Sequence, residues 1–369
     1  MRVIVANETG DSETRRDALT ERLFGAMLEG FDLLNVYLGD RLGYYRALAE
    51  GGAATSAELA RRTGTAERYA REWLEQQAVT GFLDAENPGD DAASRRYALP
   101  AGHDEVLIDP ISLNHLTPAI RTIVAVAQTL PEVMEAYRTG GGVPYEAYGR
   151  DMREGQAEMN RPQFANLLAS EWLPAMPDVH ARLQADPPAR VADIGMGAGW
   201  SSISIAQAYP NAIIDGYDLD EASVELARAN AAAVGVDDRV RFYAHDASDP
   251  ALAGACDFAC AFECIHDMSQ PIAVLASMRR LVGEGGTVLV MDERVADRFE
   301  APGDDIERFM YGYSALHCLP AGMAEQPSLA TGTVMRRETF ERYAAEAGFR
   351  EVAVLPIEHD TFVFYRLTG

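Results

Sequence analysis

The sequence predicts an α/β protein: a parallel sheet with helices on both faces, behind a mainly helical N-terminal region. Three observations predict it. Residues 1 to about 50 space their apolar side chains at three and four. From residue 190 onward, short apolar runs alternate with helix-period segments. Three glycines at every second position, Gly195, Gly197 and Gly199, follow the first of those runs.

The first helical stretch is LTERLFGAMLEGFDLLNVYLGDRLGYYRALAE. In TSAELARRTGTAERYAREWLEQQAVTGFL, Thr55 and Glu58 have capping-box spacing, so a short helix starts there and ends near Gly64. A second helix starts after Thr65 and stops at Gly81, a C-cap glycine. GFLDA and YALP flank the polar loop ENPGDDAASRR as a small hairpin. Two helices, a tight turn and a hairpin make a winged helix-turn-helix. Residues 106 to 184 are mostly helical, with breaks expected at Gly140-Gly141-Gly142 and at Arg161-Pro162, and ADPPAR is a connector. Strands follow at RVADIGM, AIIDGYDLD, VRFYAHDA, CDFACAFE, GTVLVMDERV, REVAVLPI and DTFVFYRL. The domains expected are a winged region at 1–105, a helical connection at 106–185 and the α/β domain at 186–369.

Composition narrows the function. Hydrophobic content of 48% with 24% charged residues is ordinary for a globular chain. A net charge of −25 argues against a phosphate-backbone partner, which is held by clustered cations. The second winged helix carries Glu67, Arg68, Arg71, Glu72 and Glu75, whose charges cancel, and the wing sets Asp90 and Asp91 beside Arg95 and Arg96. A DNA reader would show a basic stripe, so DNA is not an expected partner. No apolar run approaches the roughly 18 residues of a membrane span, and MRVIVANETGDSETRRD lacks signal-peptide architecture. A cytoplasmic location without membrane contact is expected. Cys256, Cys260 and Cys264 recur every four residues and Cys318 stands alone; none forms a CxxC pair, so these read as small apolar residues. His245 and His266 have no ligand spacing, and no metal is expected.

The glycine turn is the informative motif. A dinucleotide fingerprint, GxGxxG, needs a third glycine for tight helix packing, but counting from Gly195 places Trp200 there. No GK[ST] follows, so a P-loop is excluded. The pattern is Asp193-x-Gly195-x-Gly197-x-Gly199, with GYDLD ending the second strand and HDA the third.

This arrangement resembles the class I S-adenosylmethionine-dependent methyltransferases. YLGDRLGYYRALA, ELARRTGTAERYAREWLEQQA, NRPQF and HCLPAGMAEQPSLATGTVMR extend the resemblance to an actinobacterial, mycobacterial-type family with an N-terminal winged helix. The resemblance implies a seven-stranded Rossmann-like sheet with the last strand antiparallel. It implies S-adenosylmethionine as cofactor and S-adenosylhomocysteine as product, a small-molecule acceptor of natural-product type, and a homodimer. Gly195, Met196, Gly197, Gly199 and Trp200 would cradle the cofactor, and Asp193 would face its ammonium side. Asp218 would take the ribose hydroxyls, with Leu219 beside it. Asp246 and Ala247 would bind adenine, and Glu263 would complete the site.

In ECIHDMSQP, His266 resembles the general base of HDW-type small-molecule O-methyltransferases, with Met268 in place of their Trp. Asp292 and Glu293 are candidate orienting acids. The acceptor is expected against FMYGYSALHCLPAGMAEQPS, through Tyr311, Tyr313, His317 and Cys318, with Glu325 a further polar contact; Tyr145 and Tyr148 are expected to close the cofactor pocket from above, Tyr148 also touching the acceptor. N-, C- or S-methylation, or a ligand-sensing winged-helix regulator, are the alternatives.

Overall fold

The computed structural model describes residues 12–252, 254 and 256–369; the opening MRVIVANETGD, with its leader-free reading, lies outside the described residues. The chain divides into two compact units, one of residues 1–109 with 114–120 and one of 110–113 with 121–369.

In the first unit, α1 (Ser12–Arg41) and α2 (Tyr44–Gly51) precede the expected helix pair, α3 (Ser56–Thr63) and α4 (Glu67–Val79). The capping box forms: Thr55 Oγ1 accepts from the Glu58 amide at 3.3 Å, and Glu58 Oε2 accepts from the Thr55 amide at 2.9 Å. Gly64 closes α3 in the left-handed region, φ 71°. The wing is β1 (Asp84–Glu86) paired antiparallel with β2 (Arg96–Ala98), and α5 (His103–Leu107) follows. The core gathers on Trp73, against which Tyr44 and Tyr45 pack at 4.8 and 5.1 Å between ring centres, with Leu59, Leu74 and Tyr97 around them. Trp73 Nε1 donates to the Asn35 carbonyl at 2.8 Å, which satisfies its buried polar edge. Only Val36 and Gly39 of α1 are buried; Leu19, Leu23, Phe24, Met27, Phe31 and Leu34 are exposed.

The second unit takes over within α6 (Thr117–Gln128), then runs through α7 (Leu130–Thr139), a 3-10 turn at Tyr145–Tyr148 and α8 (Gly149–Gln163). The break expected at Arg161-Pro162 is absent. The helix continues into a wider, π-type helix at Phe164–Trp172, and Asn166 Nδ2 donates to the Pro162 carbonyl at 2.8 Å. Widened turns absorb a proline that removes one backbone donor. After α9 (Pro177–Gln184) come β3 (Arg190–Ile194), α10 (Trp200–Ala208), β4 (Ile213–Asp218), α11 (Glu221–Val234), β5 (Val240–Ala244), β6 (Phe258–Phe262), α12 (Pro271–Val282) and β7 (Thr287–Glu293). The segment after β7 is helical: α13 (Asp305–Tyr313), a π-type turn at Ser314–Cys318 and α14 (Leu319–Gly322). α15 (Arg337–Glu346), β8 (Glu351–Val354) and β9 (Phe362–Thr368) close the chain.

The seven strands form one sheet in the order β5-β4-β3-β6-β7-β9-β8. All neighbours are parallel except β9, which runs against β7 and β8, as expected for the last strand. The central strands β6 and β7 are buried at every residue; β6 is apolar throughout, and β7 is apolar from Val288 to Met291 before it ends in Asp292 and Glu293. On one face Trp172 fills the core against Phe262 and Phe364; on the other Phe340 stacks on Tyr365 at 4.2 Å. Strand order reverses between β3 and β6, so a crevice opens at their carboxyl ends.

Candidate active site

The glycine turn, the strand-end acids and the helical segment after β7 all lie within the second unit. The glycine turn bridges β3 and α10. Gly195, Gly197 and Gly199 have φ of 66°, 53° and 79°, a region closed to most side chains. A Cβ on Gly195 would come 2.7 Å from Cys264 Sγ, and one on Gly199 would come 2.7 Å from the Phe242 ring. Gly199 therefore provides the close helix packing that Trp200 cannot. Trp200 instead donates from Nε1 to Glu158 Oε1 at 3.3 Å and lies under the Arg161 guanidinium, 4.0 Å from the ring centre. Met196 is buried in the core beneath the turn.

Asp193 is buried at the root of the turn. Its Oδ2 accepts from the hydroxyls of Ser201 and Ser202, both at 2.6 Å. Burial pushes its carboxyl up to about 6, against those hydroxyls and the Cys260 thiol. The geometry gives it the work of tying α10 to β3.

Asp218, at the end of β4, accepts from the Gly197 amide at 2.9 Å and from the Asp220 amide at 2.9 Å. The carboxylate thus sits against the glycine turn, with lone pairs remaining for hydroxyl donors. Burial raises its titration although these amides resist. Leu219 is exposed beside it, while Ala247 is buried. Asp246 is exposed and caps its own turn, accepting from the Ser248 amide at 2.7 Å and hydroxyl at 2.8 Å.

α8 contributes residues that motif spacing does not reveal. Arg153 donates to both oxygens of Asp220, at 2.6 and 3.2 Å, which anchors α8 at the start of α11. Asn160 donates to Glu263, whose φ of 51° turns it at the end of β6. Burial, opposed by Asn160 and His266, pushes the Glu263 carboxyl up to about 7. The only sequence signal for this contact is the segment NRPQF, which opens with Asn160.

His266 follows β6 and is 2% exposed. Its Nδ1 donates to Asp292 Oδ1 at 2.8 Å, with Glu293 Oε2 at 3.1 Å; its Nε2 stands 3.1 Å from Asp267 Oδ1. Asp292 and Glu293 end β7, the strand beside β6, so the sheet itself delivers both candidate orienting acids. Burial opposes a charge on the ring, but Glu293, Asp292 and Asp267 outweigh it and hold its pKa well above the ordinary imidazole range. Two trios of possible ligand atoms converge on the ring within 4.8 Å, His266 with Asp267 and Cys318, and His266 with Asp292 and Glu293. His245 is elsewhere, 3.4 Å from Asp249.

The five acceptor candidates separate. His317 is fully buried, with the Tyr148 ring edge-on at 4.5 Å and Tyr145 at 5.9 Å. Its Nδ1 lies 3.5 Å from Cys318 Sγ, and its Nε2 has no hydrogen-bond partner. Burial pushes the Cys318 thiol up to about 12, and it lies against Asp267 and His266. Tyr148 donates to the Leu316 carbonyl at 2.9 Å. These three meet the His266 cluster. Tyr313 hydrogen-bonds Thr122 at 2.5 Å, and Tyr311 is 40% exposed and accepts from Arg336 at 3.3 Å, so it stands apart. Glu325 is exposed. Tyr145 donates to Gln156 at 2.8 Å and is close enough to Asp218 and Asp220 to feel their charge, which links the two halves of the site.

Known proteins match this architecture. A methyltransferase-domain family model matches residues 168–354, and an Rv2258c-like winged HTH domain matches residues 32–109. Mitomycin 7-O-methyltransferase superposes with a TM-score of 0.65 at 18% identity, over 97% of this chain and 100% of that one. Human N-acetylserotonin methyltransferase, in complex with S-adenosylmethionine, gives 0.63 at 18% identity over 98% and 99%. At such identities the likeness is one of fold. A tRNA1(Val) (adenine(37)-N6)-methyltransferase of Porphyromonas gingivalis is 38% identical over 65 residues, 18% of this chain; the match spans about a quarter, 26%, of that relative's length. With half its length inside the family model, the chain belongs to the methyltransferase-domain family.

Proposed function

We propose that the protein transfers the methyl group of S-adenosylmethionine to a hydroxyl of a small molecule, with His266 taking the hydroxyl proton. The observation that carries the reading is the 2.8 Å bond from His266 Nδ1 to Asp292 at the end of β7. It orients the ring and fixes which nitrogen faces the reaction. The residues also fit the cofactor. The glycine turn is open at Gly197, where a Cβ would meet nothing within 4 Å, and Asp218 holds a carboxylate against the turn for ribose hydroxyls. When bound, the cofactor supplies an activated methyl group, so the protein need only align the acceptor and remove its proton. Tyr148, His317 and Cys318 form the acceptor wall in this reading.

The winged region serves a homodimer in this reading, supported by the exposed apolar stripe of α1. Its arginines are internally paired: Arg71 with Glu67 at 2.9 Å, Arg68 with Glu72 at 2.5 Å, and Arg95 with Glu75 at 2.8 Å. Such pairing supports a packing role over a phosphate contact. Among the described residues no helix is long and apolar enough to cross a membrane.

The test is a calorimetric titration with S-adenosylmethionine on the wild type and Asp218→Ala, followed by an acceptor screen. Binding that collapses in Asp218→Ala supports the cofactor site. On a found acceptor, His266→Ala should lose roughly a hundredfold or more in turnover. A small loss would favour an amine, carbon or sulfur nucleophile. No binding to the wild type would overturn the enzyme reading in favour of a winged-helix regulator.

A further inference from the structure

We infer that the acids around His266 couple its protonation to the charge of the bound cofactor: His266 holds a proton in the cofactor-free protein and releases it to solvent when a sulfonium enters. The methyl donor then arms the base, and the thioether product does not. This inference rests on the reading of His266 as the base.

A base needs a free lone pair, and the acids around His266 favour a proton there instead. Its Nδ1 donates to Asp292, and its Nε2 faces Asp267 at 3.1 Å. The first of these is a hydrogen bond; with Glu293 Oε2 also 3.1 Å from Nδ1, three acidic oxygens lie within 3.1 Å of the ring and favour its protonated form. The groups facing the ring come from several elements. Asp292 and Glu293 come from β7, Asp267 from its own turn, Glu263 and Cys264 from the end of β6, and His317 and Cys318 from the helical insert. None of these is a cation at neutral pH: burial holds His317 below the ordinary range, and its neighbour His266 adds to that against Asp267. The nearby guanidinium groups are committed elsewhere, Arg153 to Asp220 and Arg161 to Glu158 and the Trp200 ring. The negative charge is also incompletely answered. Asp292 is 2% exposed at its side chain, yet its Oδ2 has no hydrogen-bond partner. A cation arriving from outside therefore competes with the His266 proton for the same acids.

Chemistry says where that charge arrives. The reacting hydroxyl must lie within hydrogen-bond reach of the base and about 3–3.5 Å from the methyl carbon. A sulfonium poised for transfer thus stands about two contacts from His266. A unit charge at that range inside a protein moves a titration by about one to two pH units. His266 would then give up its proton more readily and expose a lone pair, while a neutral thioether would leave its hold on the proton unchanged.

Turnover closes the cycle. As the C–S bond breaks and the C–O bond forms, the hydroxyl proton passes to His266. The positive charge lost at sulfur reappears on the ring, and the net charge of the pocket is unchanged. Product leaves His266 protonated, and the next methyl donor expels that proton.

The test is isothermal titration calorimetry at neutral pH in two buffers of different ionisation enthalpy, which counts protons released on binding. S-adenosylmethionine should release more protons than S-adenosylhomocysteine. An analogue with an ammonium in place of the sulfonium should behave as the methyl donor does. The difference should vanish in His266→Gln. Equal proton counts for the charged and neutral ligands in the wild type would overturn the inference, as would a difference that survives in His266→Gln. Failure of all three ligands to bind would overturn the cofactor reading itself, and the coupling with it.

Discussion

Asp292 and His266 are 26 residues apart in sequence and 2.8 Å apart in space. The sheet makes the meeting unavoidable, because β6 and β7 are parallel neighbours and both end at the same edge. The turn after one strand must face the last residues of the next. An acid at the end of β7 is therefore a positioning group for whatever follows β6, and Asp292→Asn tests it. The amide keeps the shape and loses the charge. Turnover should fall about 10- to 100-fold, as is typical when an orienting partner is removed, with cofactor affinity little changed. With one acid fewer, the ring should also give up its proton more readily. The acid limb of the kcat–pH profile should then move to lower pH. An unchanged profile would separate Asp292 from the base.

The buried acids make stability pH-dependent in a stated direction. The Asp193 carboxyl titrates at about 6 in the fold, above its ordinary 3.8, and Glu263 at about 7, above 4.5, both chiefly through burial. An acid whose folded pKa is raised favours the fold below its unfolded value. That contribution is lost as pH rises through the folded value. The cofactor-free protein should therefore lose a few kcal/mol between about pH 4 and pH 7 from these groups. Urea unfolding across that range measures it. Asp193→Asn should flatten the slope, while losing part of the double hydroxyl bond to Ser201 and Ser202. A slope of opposite sign would mean that these carboxyls are not desolvated in solution.

Much of this was legible in the sequence, for physical reasons. Helix caps are local chemistry, so Thr55, Glu58 and Gly64 could be read directly. Strands buried on both faces are mostly apolar, so FACAF of β6 and VLVM of β7 announced themselves. A turn that binds near its backbone needs glycine, so Gly195 to Gly199 stood out. What stayed hidden were side-chain partnerships between distant segments. Arg153 meets Asp220, 67 residues on, and Asn160 meets Glu263, 103 residues on. Neither pair leaves a periodic trace. Pro162 misled for the opposite reason: its local rule is sound, but a π-type helix absorbed it.

The glycine turn offers a test in which two similar substitutions diverge. Gly195→Ala places a Cβ 2.7 Å from Cys264 Sγ and 2.9 Å from its Cβ, on a backbone at φ 66°. Gly197→Ala meets nothing within 4 Å, at φ 53°. Both carry left-handed strain of about 1–2 kcal/mol, but only the first adds a clash, worth roughly 1–3 kcal/mol more. Thermal or urea unfolding should rank Gly195→Ala clearly below Gly197→Ala. Equal losses would mean that the turn moves away from β6 in solution.

The exposed face of α1 yields the last prediction. Leu23, Phe24, Met27 and Phe31 are between 56% and 59% exposed, and Leu34 and Leu38 continue the row. Their spacing of three and four puts them on a common side of the helix. Apolar surface in a contiguous row is uncommon on a monomer. A two-fold pairing would match such a stripe with itself, because an isologous contact presents the same surface twice. A carboxylate at its centre would then meet its own copy in an apolar seam. Phe24→Asp with Phe31→Asp should convert a dimer into a monomer by light scattering. S-adenosylmethionine binding should survive, because Asp218 and the glycine turn lie in the other unit. A wild type that is monomeric at micromolar concentration would remove the dimer from the proposal and leave the methyl-transfer site untouched.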